Sequence, residues 1–368
     1  MAILFTKSLQ EDKLLFAYNN NVIRFKSNST LVVKNCMITI AGIEPIVLYP
    51  SPQGNFYYNF KELVLSLMNF DKFKDDLQYY TVIFDDWTNK IFINANILIR
   101  INFTDSSSES VSMVRGFISG LQNEYEYISN RNPFFLTPQK KVNDGKVSLK
   151  TWKGYPFDFA YFNGNNGIAY ISNYIRNTSQ TAFQITRCVT SDGASNNLSL
   201  NYNTRFEDLQ LGFDTPNFSI QSILTLEKIT PSCYDGHYIK WINTFGGWNY
   251  WLFKKGKENL NTKGIGEINN DFDDLEYTLS KTENVGVTSQ GMIYVQDDFN
   301  SDDMLIITDL LESPKIYFFT GRPNTPNTFM NWKEVTIKEK SNKIKDAKSK
   351  FVNIHFEIEL PKRTTRTL

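Results

Sequence analysis

The sequence predicts a mainly β protein, built as two or three β-sandwich-like domains with a few short helices. Three observations carry that prediction. Across 91–103, the apolar residues Ile91, Ile93, Ala95, Ile97, Ile99, Ile101 and Phe103 alternate with mostly polar ones. That period of two gives a strand one buried face and one wet face. From residue 111 to about 231, short apolar runs recur at spacings near ten residues between Asn/Gly/Ser/Asp clusters such as 163–167 and 191–197, the punctuation of an all-β unit. The third observation is the stretch 238–253, YIKWINTFGGWNYWLF, which holds Trp241, Trp248 and Trp251 around Gly246-Gly247. Two aromatic runs about a glycine pair read as a β-hairpin, because glycine supplies the positive φ that a tight turn needs.

The elements follow in order. Residues 31–40 and 43–49 are apolar runs split by Ala41-Gly42 and read as strands. Asn59 is placed to cap a helix in which Phe60, Leu63, Val64, Leu67 and Met68 fall at helical spacing. The alternating strand then completes a first unit, expected over 1–105 as a sandwich with one inserted helix. The polar stretch 104–110, TDSSSES, is a loop tip or a junction. A second β unit is expected over 106–231. The third, 232–368, opens with the aromatic hairpin. Near 301–312 Ser301 or Asp302 is placed to cap a helix whose apolar stripe is Met304, Ile307, Leu310 and Leu311, with Pro314 as its stop. Strands return at 315–320, around Val335 and Ile337, and over 352–360, where Val352, Ile354, Phe356, Ile358 and Leu360 alternate.

At 368 residues, 41% of them hydrophobic, the chain can bury two or three cores. Its 39 Lys/Arg balance 39 Asp/Glu, so overall charge points to neither nucleic acid nor an anionic membrane. Cys36, Cys188 and Cys233 lie far apart, which argues against a disulfide framework and fits thiols kept reduced in a cytosol. No apolar run reaches the length of a membrane-spanning helix, and the run 2–5 is too short for a secretion signal. Charge is uneven along the last third. Residues 267–312 carry twelve acidic side chains against Lys281 alone, and 332–368 carry ten Lys/Arg against five Asp/Glu. Opposed patches fit head-to-tail contacts around a ring of identical subunits, or two solvated faces.

The catalytic inventory is poor. There are two histidines, His237 and His355, and no HExxH, GxSxG or GxxxxGK[ST]. Gly264-Ile265-Gly266 lacks a third glycine and reads as a turn. Cys233-Tyr234-Asp235-Gly236-His237 places a thiol, a carboxylate and an imidazole close in sequence, yet catalytic dyads draw their members from distant segments, so Asp235-Gly236 reads as a turn. Asp271, Asp273, Asp274 and Glu276 lack the glycine and the closing glutamate of a calcium loop. No catalytic, metal or cofactor-binding residues are therefore assigned. The one candidate site is the aromatic hairpin, with Trp241, Phe245, Gly246, Gly247, Trp248, Tyr250 and Trp251 as its anchors. A strand apolar on both faces is buried on both faces, in a core or under a neighbouring subunit. Stacking on a sugar is the remaining alternative.

The hairpin, of the form [LI]KW[LI]N..GGW.YW.F, resembles a segment of tail and baseplate proteins of phages and prophages infecting Bacteroidota. Further pieces fit that group in order: residues 17–23 (AYNNNVI), 52–56 (PQGNF), 135–138 (FLTP), 311–317 (LESPKIY) and the alternating C-terminal strand. The resemblance implies a structural virion protein, similar in kind to distal-tail or hub proteins. It implies assembly as a ring or hub through contacts with itself and other tail proteins, in the host cytoplasm, without nucleic acid or membrane insertion. It carries no catalytic residues. The alternative functions are a carbohydrate-binding host-adhesion module that meets a surface glycan through exposed tryptophans, and a glycan hydrolase using paired carboxylates.

Overall fold

The computed structural model describes residues 3–68, 71–77, 84–121, 128–138, 146–164, 169–171, 184–190, 200–213, 219–232, 236–269, 282–325, 327–338, 349–363 and 366–367. The protein is mainly β, with twenty-four strands and three α-helices among these residues. Cys233, Tyr234 and Asp235, the acidic run 271–276, and the turn cluster 191–197 lie outside them.

The N-terminal part is a sandwich. A three-stranded sheet of Ile3–Lys7, Val22–Ser27 and Asn55–Asn59 faces a five-stranded sheet in the order Leu15–Phe16, Ser108–Ile118, Phe92–Phe103, Val33–Ile40, Ile46–Leu48. Ile23, Phe25 and Phe56 from the first sheet meet Ile38, Ile97, Ile99 and Ile101 from the second in one apolar cluster. The helix Lys61–Leu67 closes its end through Phe60, Val64 and Met68, and Asn59 Oδ1 accepts the Lys61 N–H at 3.1 Å. The stretch 104–110 includes a hairpin tip: Phe92–Phe103 pairs with Ser108–Ile118 from end to end. The sandwich therefore continues across the expected boundary at 105/106, because the second strand of that hairpin shares its core.

Two further four-stranded sheets follow. One orders Phe134–Phe135, Phe157–Phe162, Ile185–Thr190 and Phe84–Asp86; the other orders Lys146–Trp152, Ser219–Ile229, Phe206–Phe213 and Ala169–Ile171. The last sheet runs Trp248–Phe253, His237–Ile242, Ile316–Phe319, Trp332–Ile337, Val352–Glu359, Thr282–Phe299, Lys255–Asn269. Its first and last members are separated in sequence by Lys254 alone but are not paired with each other, so among the described residues the sheet is open at both ends. The short strand Arg366–Thr367 lies off this path, beside Gly286 and Val287 of Thr282–Phe299. Phe253, at the end of Trp248–Phe253, meets Phe356 at 5.3 Å and Phe299 at 6.1 Å. A single apolar cluster joins the middle sheets to this last sheet. Among the described residues this cluster runs through both 106–231 and 232–368.

Local details depart from the expected ones in three places. The helix Ser301–Glu312 is capped by Asn300, not Ser301 or Asp302: the Asn300 side chain accepts the N–H groups of Asp302 and Asp303 at 2.9 and 2.8 Å. Its buried face does include Met304, Ile307 and Leu310. Gly264-Ile265-Gly266 is not a turn but lies inside the strand Lys255–Asn269, at a local irregularity in its pairing. Ile91 ends the short helix Thr88–Ile91, and the alternating strand starts at Phe92.

Candidate functional site

The aromatic segment folds as the expected hairpin, His237–Ile242 paired antiparallel with Trp248–Phe253. The two glycines of its turn have different jobs. Gly246 takes φ +86°, where a side chain would be strained. Gly247 does not; a Cβ there would strike the Leu136 carbonyl oxygen. Asn243 organises the turn. Its Oδ1 accepts from Phe245 N–H at 2.8 Å and Gly247 N–H at 3.1 Å, while its Nδ2 donates to Leu136 O at 2.9 Å and Asn249 Oδ1 at 3.1 Å. All four hydrogen-bonding positions of the amide are thus used. Trp87 Nε1 donates to Gly246 O at 3.0 Å and fastens the tip to the neighbouring sheet.

Trp241, Phe245, Trp248, Tyr250 and Trp251 are all buried, between 0% and 5% exposed. They are core residues, and none of the three tryptophans offers a face to a sugar. Tyr250 stacks near Tyr238 at 5.8 Å and Phe157 at 5.4 Å; Trp251 meets Trp152 at 5.3 Å and Phe299 at 5.0 Å.

Behind the hairpin lies a cluster of four buried charges that the sequence reading did not single out. Arg187, on Ile185–Thr190, donates to both oxygens of Asp75 at 2.9 and 3.0 Å and to Asp158 Oδ2 at 2.8 Å. Lys240, in the middle of the first hairpin strand, pairs with Asp75, and Tyr250 Oη donates to Asp158. Asn327 Nδ2 donates to Asp158 Oδ2 at 3.0 Å, and Asn327 Oδ1 accepts from Trp332 Nε1 at 2.9 Å. The Lys240 ammonium also lies 4.1 Å from the Trp332 ring centre and 5.0 Å from that of Trp248. Two cations and two carboxylates balance, as a buried cluster requires.

Protonation follows from this packing. Burial would raise the Asp75 carboxyl, but Arg187 and Lys240 together hold it well below the usual carboxylate range. Burial pulls Lys240 down to about 8, with Asp75 resisting. Burial pushes the Tyr250 hydroxyl well above its ordinary value. Near neutral pH Asp75 therefore carries its charge and Tyr250 its proton. The cluster ties the loop 74–77, two strands of one sheet and the hairpin together. Arg187, Asp158 and Lys240 are 0% exposed and Asp75 is 3% exposed, so no substrate reaches them.

The accessible feature beside the hairpin is a cavity of about 200 Å³ at its tip, with Tyr18, Phe73, Leu121, Thr244, Asp309 and Glu312 in its wall. Thr244 N–H donates to Asp309 Oδ1 at 2.8 Å. Burial pushes the Asp309 carboxyl up to about 7. Cys36 and Cys188 are buried free thiols, and burial raises both, Cys36 to about 12. His237 is held below its ordinary value by burial, 3.8 Å from Glu258. Among the described residues no group of His, Cys, Asp or Glu is arranged to hold a metal ion. No helix among them is long and apolar enough to cross a membrane.

Past Lys254 the second hairpin strand continues in a different character. Every residue of 256–269 is exposed, on both faces of the sheet. Its partner Thr282–Phe299 is rooted in the core by Ile293, Val295 and Phe299. The result is an arm whose outer strand is exposed along its length, while Arg366–Thr367 lines the other side of Thr282–Phe299 at Gly286 and Val287.

No protein-family model matches the sequence, and no curated protein matches it. Among solved structures, the fibronectin(III)-like modules of Clostridium thermocellum CbhA align over 62% of this chain and 95% of theirs, at 6% identity and a TM-score of 0.19. Protocadherin gammaB7 EC3-6 aligns over 80% and 73%, at 8% identity and 0.18. The N-terminal four Ig domains of Dscam1 align over 80% and 70%, at 9% identity and 0.17. Likenesses this distant carry no argument about function.

Proposed function

We propose that the chain is a structural subunit of a phage tail or baseplate, a virion component made in the host cytoplasm and held in a ring or hub by contacts with itself and with neighbouring tail proteins. The observation that carries this reading is the pairing of a charge-fastened core with a rooted arm whose outer strand is exposed throughout. The Arg187–Asp75–Asp158–Lys240 cluster joins the middle sheets to the hairpin, and the arm leaves that same hairpin one residue later. The outer strand of the arm has one strand neighbour and, among the described residues, an unpaired outer edge. Such an edge gains stability by meeting another protein surface. The burial of Trp241, Trp248 and Trp251 weighs against the sugar-platform alternative. The sealed carboxylates Asp75 and Asp158 supply no open acid pair for glycan hydrolysis.

The test is the mass of the purified chain, by mass photometry or sedimentation, together with mass spectrometry of particles from an induced host culture. Defined multimers and recovery of the chain in particles support the proposal. A strict monomer that is absent from particles overturns it.

A further inference from the structure

The arm has a free side, and its residues say what fits there. Lys255–Asn269 is the last strand of its sheet, and among the described residues its outer edge has no partner strand. Fifteen residues at about 3.3 Å each make an edge about 50 Å long. Open backbone donors and acceptors of that length are a template for another strand. The irregularity at Gly264 and Gly266 does not break the count: Gly264 pairs with Val287 and Glu267 with Asn284, three residues on in both strands. Side-chain positions along the edge can therefore be read straight through.

We infer that this edge pairs antiparallel with the same edge of a second copy of the chain, about a two-fold axis at Thr262. Charge complementarity selects the occupant. The strand is basic near its start, at Lys255 and Lys257, and acidic near its end, at Glu267. Reversing one copy against another sets Lys257 opposite Glu267 twice, and opposite charges across an antiparallel pair are favourable. Centring the axis between Thr262 and Lys263 instead sets Glu258 opposite Glu267. Centring it on Lys263 sets that lysine opposite itself. In the Thr262 register no like charges face each other. Leu260, half exposed at 50%, stands opposite Gly264 of the other copy, where the absent side chain leaves room for it.

A two-fold contact of this kind closes at two copies, so it adds to any ring contacts and does not replace them. The inference deepens the homo-oligomeric part of the proposed function by naming a surface for it, and it rests on that part alone.

Two measurements on the full chain test it. In sedimentation velocity at tens of micromolar and low salt, Lys257→Glu should weaken association at least tenfold, and Lys257→Glu with Glu267→Lys should restore it. All of these sites are exposed, so the variants keep their fold, which an unchanged melting temperature checks. In the second measurement, Thr262→Cys treated with copper phenanthroline should give a disulfide-linked dimer on a non-reducing gel, because residues on the axis face each other within disulfide reach. Wild-type chain under the same oxidant is the control for the native cysteines. An oligomer indifferent to Lys257→Glu, or a double variant that stays dissociated, or a Thr262→Cys chain that does not cross-link, overturns the arm contact and leaves assembly through another surface standing. A monomeric wild type overturns both.

Discussion

One continuous stretch of backbone, 248–269, behaves in two opposite ways on either side of Lys254. Trp248–Phe253 is buried at all six positions, whereas 256–269 is exposed at every one. Both halves are strands, and both are paired along their length, one with His237–Ile242 and the other with Thr282–Phe299. The first half is rich in the aromatic residues that favour strands, WNYWLF. The second, KGKENLNTKGIGEIN, is rich in the Gly, Asn and Lys that disfavour them. Its strand character therefore comes from its neighbour. The buried part of Thr282–Phe299 is fixed in the core, and the backbone ladder carries that order outward. Core packing makes one half rigid. Pairing alone makes the other half straight and leaves its surface available.

The largest effect expected from breaking this contrast is at the buried end. Arg187→Met removes the cation shared by Asp75 and Asp158, leaving Lys240 as the one buried cation in a cluster with two buried carboxylates and Asp158 without an ion-pair partner there. Breaking a buried pair from one side costs about 3–5 kcal/mol, so the variant should unfold at much lower urea, or fail to fold, in equilibrium denaturation followed by tryptophan fluorescence. Gly247→Ala should come next, at about 2 kcal/mol, because the added carbon meets backbone at Leu136 that has no flexible end to move aside. The same measurement reads it, and a loss below that of a surface substitution would show that the turn and the segment at Leu136, just after the strand Phe134–Phe135, slide apart freely.

Asp309 sharpens the comparison through pH. Its folded carboxyl titrates near 7 against about 4 when unfolded. Between those values the folded chain holds a proton that the unfolded chain has lost. This site therefore favours folding at low pH, and its contribution falls as pH rises from about 4 to about 7. Asp309→Asn keeps an oxygen for the Thr244 N–H but cannot ionise. The stability difference, variant minus wild type, should rise across that window by on the order of 3 kcal/mol. Taking the difference cancels the opposite slope that Asp75, held below its ordinary value, gives to both proteins. A flat difference would mean that Asp309 is solvated in solution.

The parts of this molecule legible in its sequence are those fixed by neighbours in sequence. The alternation of 92–103, the aromatic hairpin and the helix 301–312 each rest on a period or a turn that local residues declare. The cap at Asn300 was missed by one residue because Ser301 and Asp302 are equally good capping types, and only geometry separates them. The charge cluster was out of reach for a different reason. Asp75, Asp158, Arg187 and Lys240 come from four segments, and nothing in the chain order says that they meet. A faint signal was present: Asp158 in FDFAYF and Lys240 in YIKWI are charges set in apolar strands, and a buried charge implies a partner. The arm was misread at Gly264-Ile265-Gly266 because a local rule assigns glycines to turns, while here the pairing strand overrides it.

The smallest effect separates the halves with the same residue type on the same strand. Asn249 is fully buried, its Oδ1 accepting from Asn243 at 3.1 Å and Thr137 at 3.3 Å. Removing that oxygen leaves buried donors without an acceptor, so Asn249→Ala should cost about 1–3 kcal/mol. Asn261 lies on the exposed arm, with water on both sides of its strand. Asn261→Ala should change stability by less than about 0.5 kcal/mol in either direction, measured on the isolated chain below its association range. If instead the two asparagines cost the same, the arm is packed against something in solution even at low concentration, and the division at Lys254 between a half that holds the fold and a half that faces outward fails.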